Sequence, residues 1–78
     1  MANINVVFFG VLAELANASE LMFENINHTD ELTEQLITRF PEFKKHTLLM
    51  ALNNTIIKQN TELKNGDTVS VMPPFSGG

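Results

Sequence analysis

Only one long stretch of this chain carries a helical period, and that fact limits the architecture more than any other. Leu32, Leu36, Ile37 and Phe40 form one apolar stripe at helical spacing. Thr29 or Asp30 is the expected N-cap, Asp30 and Glu31 suit the positive end of the helix dipole, and Pro41 stops the helix. The spacing predicts a helix over about residues 30–40. A single amphipathic helix cannot bury its stripe against itself, and most of the rest of the chain alternates with period two. A helical bundle is excluded, and the helix must lie on a sheet.

The strands are read from that alternation. Residues 4–9 place Ile4, Val6 and Phe8 on one face and Asn5, Val7 and Phe9 on the other. The wholly apolar set is the core face. After Gly10, residues 11–17 suit one helical turn with Leu12 and Leu15 inward, and Asn17-Ala18-Ser19 reads as a turn. A second strand is expected over about 20–26 with Leu21 and Phe23 inward, paired antiparallel with the first. Beyond the helix, Phe43 returns to the core. Residues 47–53 read as a third strand with Leu48, Met50 and Leu52 on one face. Asn53-Asn54 is a turn, residues 55–58 begin a short strand, and Lys64-Asn65-Gly66-Asp67 is a turn. Residues 68–72 form the last strand, with Val69 and Val71 inward. Pro73-Pro74 then ends pairing, because neither residue has an N–H to donate. The fold class is α+β: a mixed four- or five-stranded sheet with one main helix on one face. Residues 1–74 form a single domain, and 75–78 form a flexible tail.

Composition narrows the function. A chain of 78 residues buries roughly 60% of its unfolded surface, enough for one small core. It has no cysteine, which removes disulfides, thiol catalysis and cysteine-based metal sites, and favours a cytoplasmic location. Net charge is −4 with five basic residues, so no basic stripe for nucleic acid or anionic lipid can be built. No segment is apolar for long enough to span a membrane. His28 and His46 lack metal-ligand spacing and read as ordinary loop residues. The four glycines, at 10, 66, 77 and 78, make no phosphate loop, so the chain is not expected to bind ATP alone. Glu31, Glu34 and Glu42 read as a solvated helix face, and Asp67 as a turn residue. No serine has a histidine near it in sequence to form a nucleophile pair.

The informative segment is Pro73-Pro74-Phe75-Ser76-Gly77-Gly78. A Gly-Gly end arises by chance at roughly 0.5%, given glycine at about 7% per position. Two prolines hold such a stalk extended, and two residues without side chains let it enter a narrow channel. A tail of this build presents its carboxylate to another protein's active site. A carboxylate is inert towards acyl transfer until activated, for example as an acyl-adenylate, and activation must come from a partner with a nucleotide site. A second feature is the outer sheet face. If Ile4, Val6, Phe8, Val69 and Val71 face the helix, parity puts Val7, Phe9 and Met72 opposite, joined by Leu49 and Ala51. Such an apolar face is a candidate docking patch.

The segments Val6-Val7-Phe8-Phe9-Gly10-Val11-Leu12-Ala13-Glu14-Leu15, Ala51-Leu52-Asn53-Asn54, Leu63-Lys64-Asn65-Gly66-Asp67-Thr68-Val69 and Met72-Pro73-Pro74-Phe75-Ser76-Gly77-Gly78 carry a family likeness. Over essentially its whole length the chain resembles the MoaD-type ubiquitin-like sulfur carriers, the small subunits of molybdopterin synthase. Gly-Asp-x-Val combined with a terminal Pro-Pro-x-Ser-Gly-Gly is the specific part. Ala13, Asn54 and Phe75 depart from the residues usual there, and none touches the diglycine.

The resemblance implies a β-grasp fold with the first and last strands adjacent at the centre of the sheet. It implies that an E1-like adenylyltransferase activates Gly78 with ATP and that a persulfide sulfurtransferase converts it to a thiocarboxylate. The large synthase subunit, with which the chain forms a heterotetramer, then receives the tail, and sulfur passes to cyclic pyranopterin monophosphate in molybdenum cofactor biosynthesis. Gly78 is thereby the reacting residue, with Gly77 and Ser76 giving access. Phe9, Ile56, Met72 and Phe75 are the expected partner contacts. The chain itself binds no cofactor, and with only Lys44-Lys45 as an adjacent basic pair it leaves the cations for an anionic substrate to the large subunit. Alternatives that share these features are sulfur carriers for thiazole synthesis or tRNA thiolation, protein conjugation through the same tail, a β-grasp module that only binds, and a self-associating domain.

Overall fold

The computed structural model describes residues 2–73. Its elements are β1 (Ile4–Phe8), α1 (Val11–Ala16), β2 (Glu20–Phe23), α2 (Thr29–Arg39), a 3-10 segment (Pro41–Lys45), β3 (Leu49–Leu52), β4 (Thr55–Ile57) and β5 (Thr68–Met72). They form a five-stranded sheet in the order β2-β1-β5-β3-β4. The central pair β1 and β5 is parallel, and every other neighbouring pair is antiparallel. This is the ubiquitin-like β-grasp roll, with α2 as its one main helix.

The alternating apolar sets decide which way the sheet faces. Ile4, Val6, Val69 and Val71 are fully buried and Phe8 nearly so. Val6 lies beside Val69 and Phe8 beside Val71 across the parallel pair. Leu32 and Leu36 of α2 close over them, also fully buried. Phe43 enters the same core from the 3-10 segment. Its ring stacks on Phe40 at 5.2 Å and meets Phe8 edge-on at 5.7 Å. Each such side chain contributes about 1.5–3 kcal/mol by leaving water.

Turn chemistry follows the residues. Asn53 and Asn54 have φ of 47° and 74°, so both central residues of the β3–β4 hairpin are left-handed, as a two-residue primed turn needs. Asn53 is also tied to β5: its Oδ1 accepts from the Thr68 N–H and its Nδ2 donates to Asp67. Asp67 accepts the Lys64 N–H through its other oxygen, closing the turn expected at 64–67.

Several expectations need correction. The second strand stops at Phe23, because Asn25 takes φ 61° and breaks the extended run. Ile26 is buried all the same, and its N–H bonds to the Ala2 carbonyl. The third strand covers only residues 49–52, with Met50 buried and Leu48 and Leu52 partly so. Helix α2 starts at Thr29 with His28 as N-cap, and neither Thr29 nor Asp30 caps it by its side chain. A distant segment supplies the partners instead. Asn60 Oδ1 accepts the Asp30 N–H at 2.9 Å, and the Thr61 carbonyl accepts the Thr29 N–H at 2.9 Å. Glu31 is not simply solvated, since it accepts the Asn27 N–H at 2.7 Å. The expected boundary between domain and tail, at residues 74 and 75, lies outside the described residues.

Candidate functional site

The outer face of the sheet is built by the same register that fills the core. Across it, one row runs Glu20, Val7, Ser70, Ala51, Ile56 from edge to edge. The next row is apolar. Leu49 faces Met72, and the Phe9 N–H donates to the Val71 carbonyl at 3.1 Å, so the continuing parallel register sets Phe9 beside Met72. Phe9 is 46% exposed and Ile56 44%, while Met72 and Leu49 are half-buried. The structure therefore brings Phe9 and Met72 together, with Ile56 on the same face but out on the edge strand β4.

Two residues of this face depart from the parity reading. Ala51 is buried, because its small side chain sits in register between Ile56 and Ser70. Met22, at 60% the most exposed large hydrophobic among the described residues, extends the face onto β2 opposite Asn5. Its alternation with Leu21 and Phe23 is the signal that would have found it. Val11, 37% exposed, stands next to Phe9 and Gly10.

The chain leaves β5 at Pro73, and Gly10 receives it. Gly10 has φ 59° and ψ −136°, a region essentially reserved for glycine. A Cβ at this position would stand 3.3 Å from Pro73 Cγ. The end of β1 is thus shaped so that the proline ring lies close over a backbone without a side chain. The root of the tail is fixed beside Phe9 and Met72. Phe75, Ser76, Gly77 and Gly78 lie outside the described residues.

The remaining titratable residues make no second centre. Lys45 pairs with Glu42 at 3.1 Å, and Arg39 lies over the rings of Phe23 and Phe40. His28 sits 3.9 Å from Glu31 at the start of α2, and its Nδ1 is buried without a hydrogen-bond partner. Among the described residues no group of three His, Cys, Asp or Glu side chains converges to hold a metal. No helix there is long and apolar enough to cross a membrane.

Fold and site together define a class: a ubiquitin-like module with an apolar outer face, whose last strand runs out beside that face into a diglycine tail. The chain belongs to the ThiS family, whose model matches residues 6–78. It is 37% identical to the molybdopterin synthase sulfur carrier subunit of Chlamydomonas reinhardtii, over 96% of this chain and 98% of that one. Among solved structures, a putative molybdopterin converting factor subunit 1 from Pyrococcus furiosus superposes with a TM-score of 0.87 at 26% identity, covering 95% of this chain and 99% of that one. The complex of subunits 1 and 2 of the molybdopterin-converting factor from Helicobacter pylori contains a chain that matches at a TM-score of 0.72 and 29% identity, over 97% and 99%.

Proposed function

We propose that this chain is the sulfur carrier subunit of a molybdopterin synthase and that Gly78 is the residue that carries the sulfur. The carrying observation is the apolar row of Phe9, Met72 and Leu49 at the root of the tail, in a chain that aligns over 96% of its length with a molybdopterin synthase sulfur carrier subunit.

The chemistry follows from what the chain offers and lacks. On this reading the terminal Gly78 carboxylate enters another protein's active site, and alone it is a poor acyl donor. An E1-like adenylyltransferase supplies ATP: the carboxylate attacks the α-phosphorus, pyrophosphate leaves, and an acyl-adenylate results. The outer sulfur of a sulfurtransferase persulfide attacks the acyl carbon and displaces AMP, and a second thiol then cleaves the resulting acyl disulfide, leaving the thiocarboxylate and a disulfide on the sulfurtransferase side. In the large subunit the thiocarboxylate sulfur attacks an oxygen-bearing side-chain carbon of cyclic pyranopterin monophosphate, and the oxygen substituent of that carbon leaves as the C–S bond forms. Water then cleaves the acyl–sulfur bond and regenerates the Gly78 carboxylate. Two such transfers make the dithiolene, within a cytoplasmic heterotetramer of small and large subunits.

Phe9, Met72, Ile56 and Phe75 dock the partner, and Gly77 and Ser76 admit the terminus to its channel. The outer face suits a single docking surface used in turn by the activating enzyme and the large subunit. At a net charge of −4 this chain does not attract an anionic pterin, so the cations that hold it belong to the large subunit.

Intact mass spectrometry tests this reading. Incubation with the activating enzyme, ATP and a sulfur donor should add about 16 Da, the replacement of one terminal oxygen by sulfur. Deletion of Gly78 should remove the gain. A second incubation with the large subunit and the pterin should reverse it. A full-length chain that stays unmodified beside a demonstrably active enzyme would overturn the proposal.

A further inference from the structure

A cleft of about 490 Å³ opens on the helix side of the sheet, between α2 and the β4 edge. It shares Leu49 with the row of Phe9 and Met72, but neither Phe9 nor Met72 lines it. Phe43, Leu48, Met50 and Ile57 give it an apolar floor. Its rim carries Lys44, His46 and Lys58. We infer that this cleft docks an extended acidic peptide segment that places one apolar side chain on the floor. This does not rest on the sulfur-carrier proposal.

The edge strand argues for an extended peptide. β4 ends the sheet and pairs only with β3 among the described strands, so one side of its backbone offers unpaired N–H and C=O groups. An added strand bonds to such an edge and alternates its side chains between the two faces. Residues on the Ile57 side of the added strand point into the cleft. Because β4 has three residues, main-chain bonds alone give weak binding, and the floor and rim must supply the rest.

Charge gives the sign. The whole chain has five basic residues and a net charge of −4. Two of those five line this cleft, against one carboxylate, Asp30. Lys44 and Lys58 are both exposed, and neither is in an ion pair among the described residues. The rest of the surface repels an acidic peptide, which leaves this rim as its place of attraction.

The test titrates the isotope-labelled full chain with a capped peptide of alternating glutamate and valine, followed by the amide resonances. Shifts confined to residues 44–46 and 55–60 are expected, with Phe9 and Met72 unmoved. The double variant Lys44→Glu/Lys58→Glu, both positions exposed and an unchanged spectrum elsewhere confirming its fold, should bind about tenfold more weakly. Raising salt should weaken the wild type and not the variant. The proposal is overturned if free glutamate reproduces the shifts, because the site then reads an anion and not a peptide. It is equally overturned if a lysine–valine peptide binds as well, if the shifts fall on Phe9 and Met72, or if the double variant binds like the wild type.

Discussion

The two faces of the β1–β5 pair are made by alternate residues of the same ten positions, yet they answer to different demands. On the inner face Ile4, Val6, Phe8, Val69 and Val71 are buried against α2 and the phenylalanine cluster. On the outer face Asn5, Val7, Thr68, Ser70 and Met72 range from polar to apolar and none is fully buried. The apolar part of the outer face gathers at one end, where Met72 meets Phe9 and Leu49 and where the chain leaves the sheet at Pro73. Packing alone explains the inner set. It does not explain a half-exposed phenylalanine beside the root of the tail, and that surplus apolar surface is what a partner would cover.

The comparison predicts that the faces separate stability from function, and the inner face should show the largest effect. Phe43→Ala removes a fully buried ring that packs on both Phe8 and Phe40. A loss of about 3–5 kcal/mol is expected, a large share of the stability of a domain this size. Denaturant unfolding measures it. A loss below about 1 kcal/mol would mean that the core tolerates collapse at this point and that the division between faces is blurred.

On the outer face Phe9→Asp should do the reverse. The backbone bond from the Phe9 N–H to Val71 survives any side chain, and the ring is nearly half exposed. Stability should change by no more than about 0.5–1 kcal/mol. Binding to the large subunit should weaken by about 2–4 kcal/mol, or about 30- to 1,000-fold in Kd, as for a buried aromatic anchor. Calorimetry on the paired subunits checks this, and an unchanged Kd would remove Phe9 from the interface. Met22→Asp sharpens the result by locating the rim. A small effect there keeps the docking surface at the Pro73 end of the sheet.

Gly10 joins the two faces. At φ 59° and ψ −136° an alanine is strained by about 1–3 kcal/mol, and its Cβ would press on Pro73. Gly10→Ala should therefore cost stability of that order. Gly10→Ala/Pro73→Ala should recover only the part that comes from the contact, since the backbone strain remains. Thermal unfolding of both variants separates the two contributions. Full recovery in the double variant would show that contact alone matters.

Much of this was legible in the sequence because parity carries it. The core positions of β1 and β5, the helix stripe and both turns follow from residue type and spacing, which local sterics enforce. Three things were not legible. Ala51 is buried by neighbours on two other strands, and no property of alanine announces that. The cap of α2 comes from the Asn60 side chain and the Thr61 carbonyl, about thirty residues away, so the local preference of Thr29 and Asp30 loses to a tertiary contact. The cleft beside β4 joins segments from four parts of the chain and has no sequence period at all. For the candidate site, parity alone put Phe9 and Met72 on the outer face, whereas the reactive role of Gly78 came from family likeness.

The smallest expected effect supplies the control. Asn54 holds φ 74° at the second turn position between β3 and β4, on neither sheet face. Glycine meets no steric penalty there, whereas asparagine is only tolerated. Glycine also has more freedom to lose from the unfolded chain, and this offsets part of the gain. The neighbouring Asn53, whose side chain bonds to Thr68 and Asp67, is left untouched. Asn54→Gly should thus stabilise by no more than about 0.5 kcal/mol, read as a slightly higher denaturant midpoint at unchanged slope. Affinity for the large subunit should not move. If it does move, the turn is shifting Ile56, two residues on, within the docking surface.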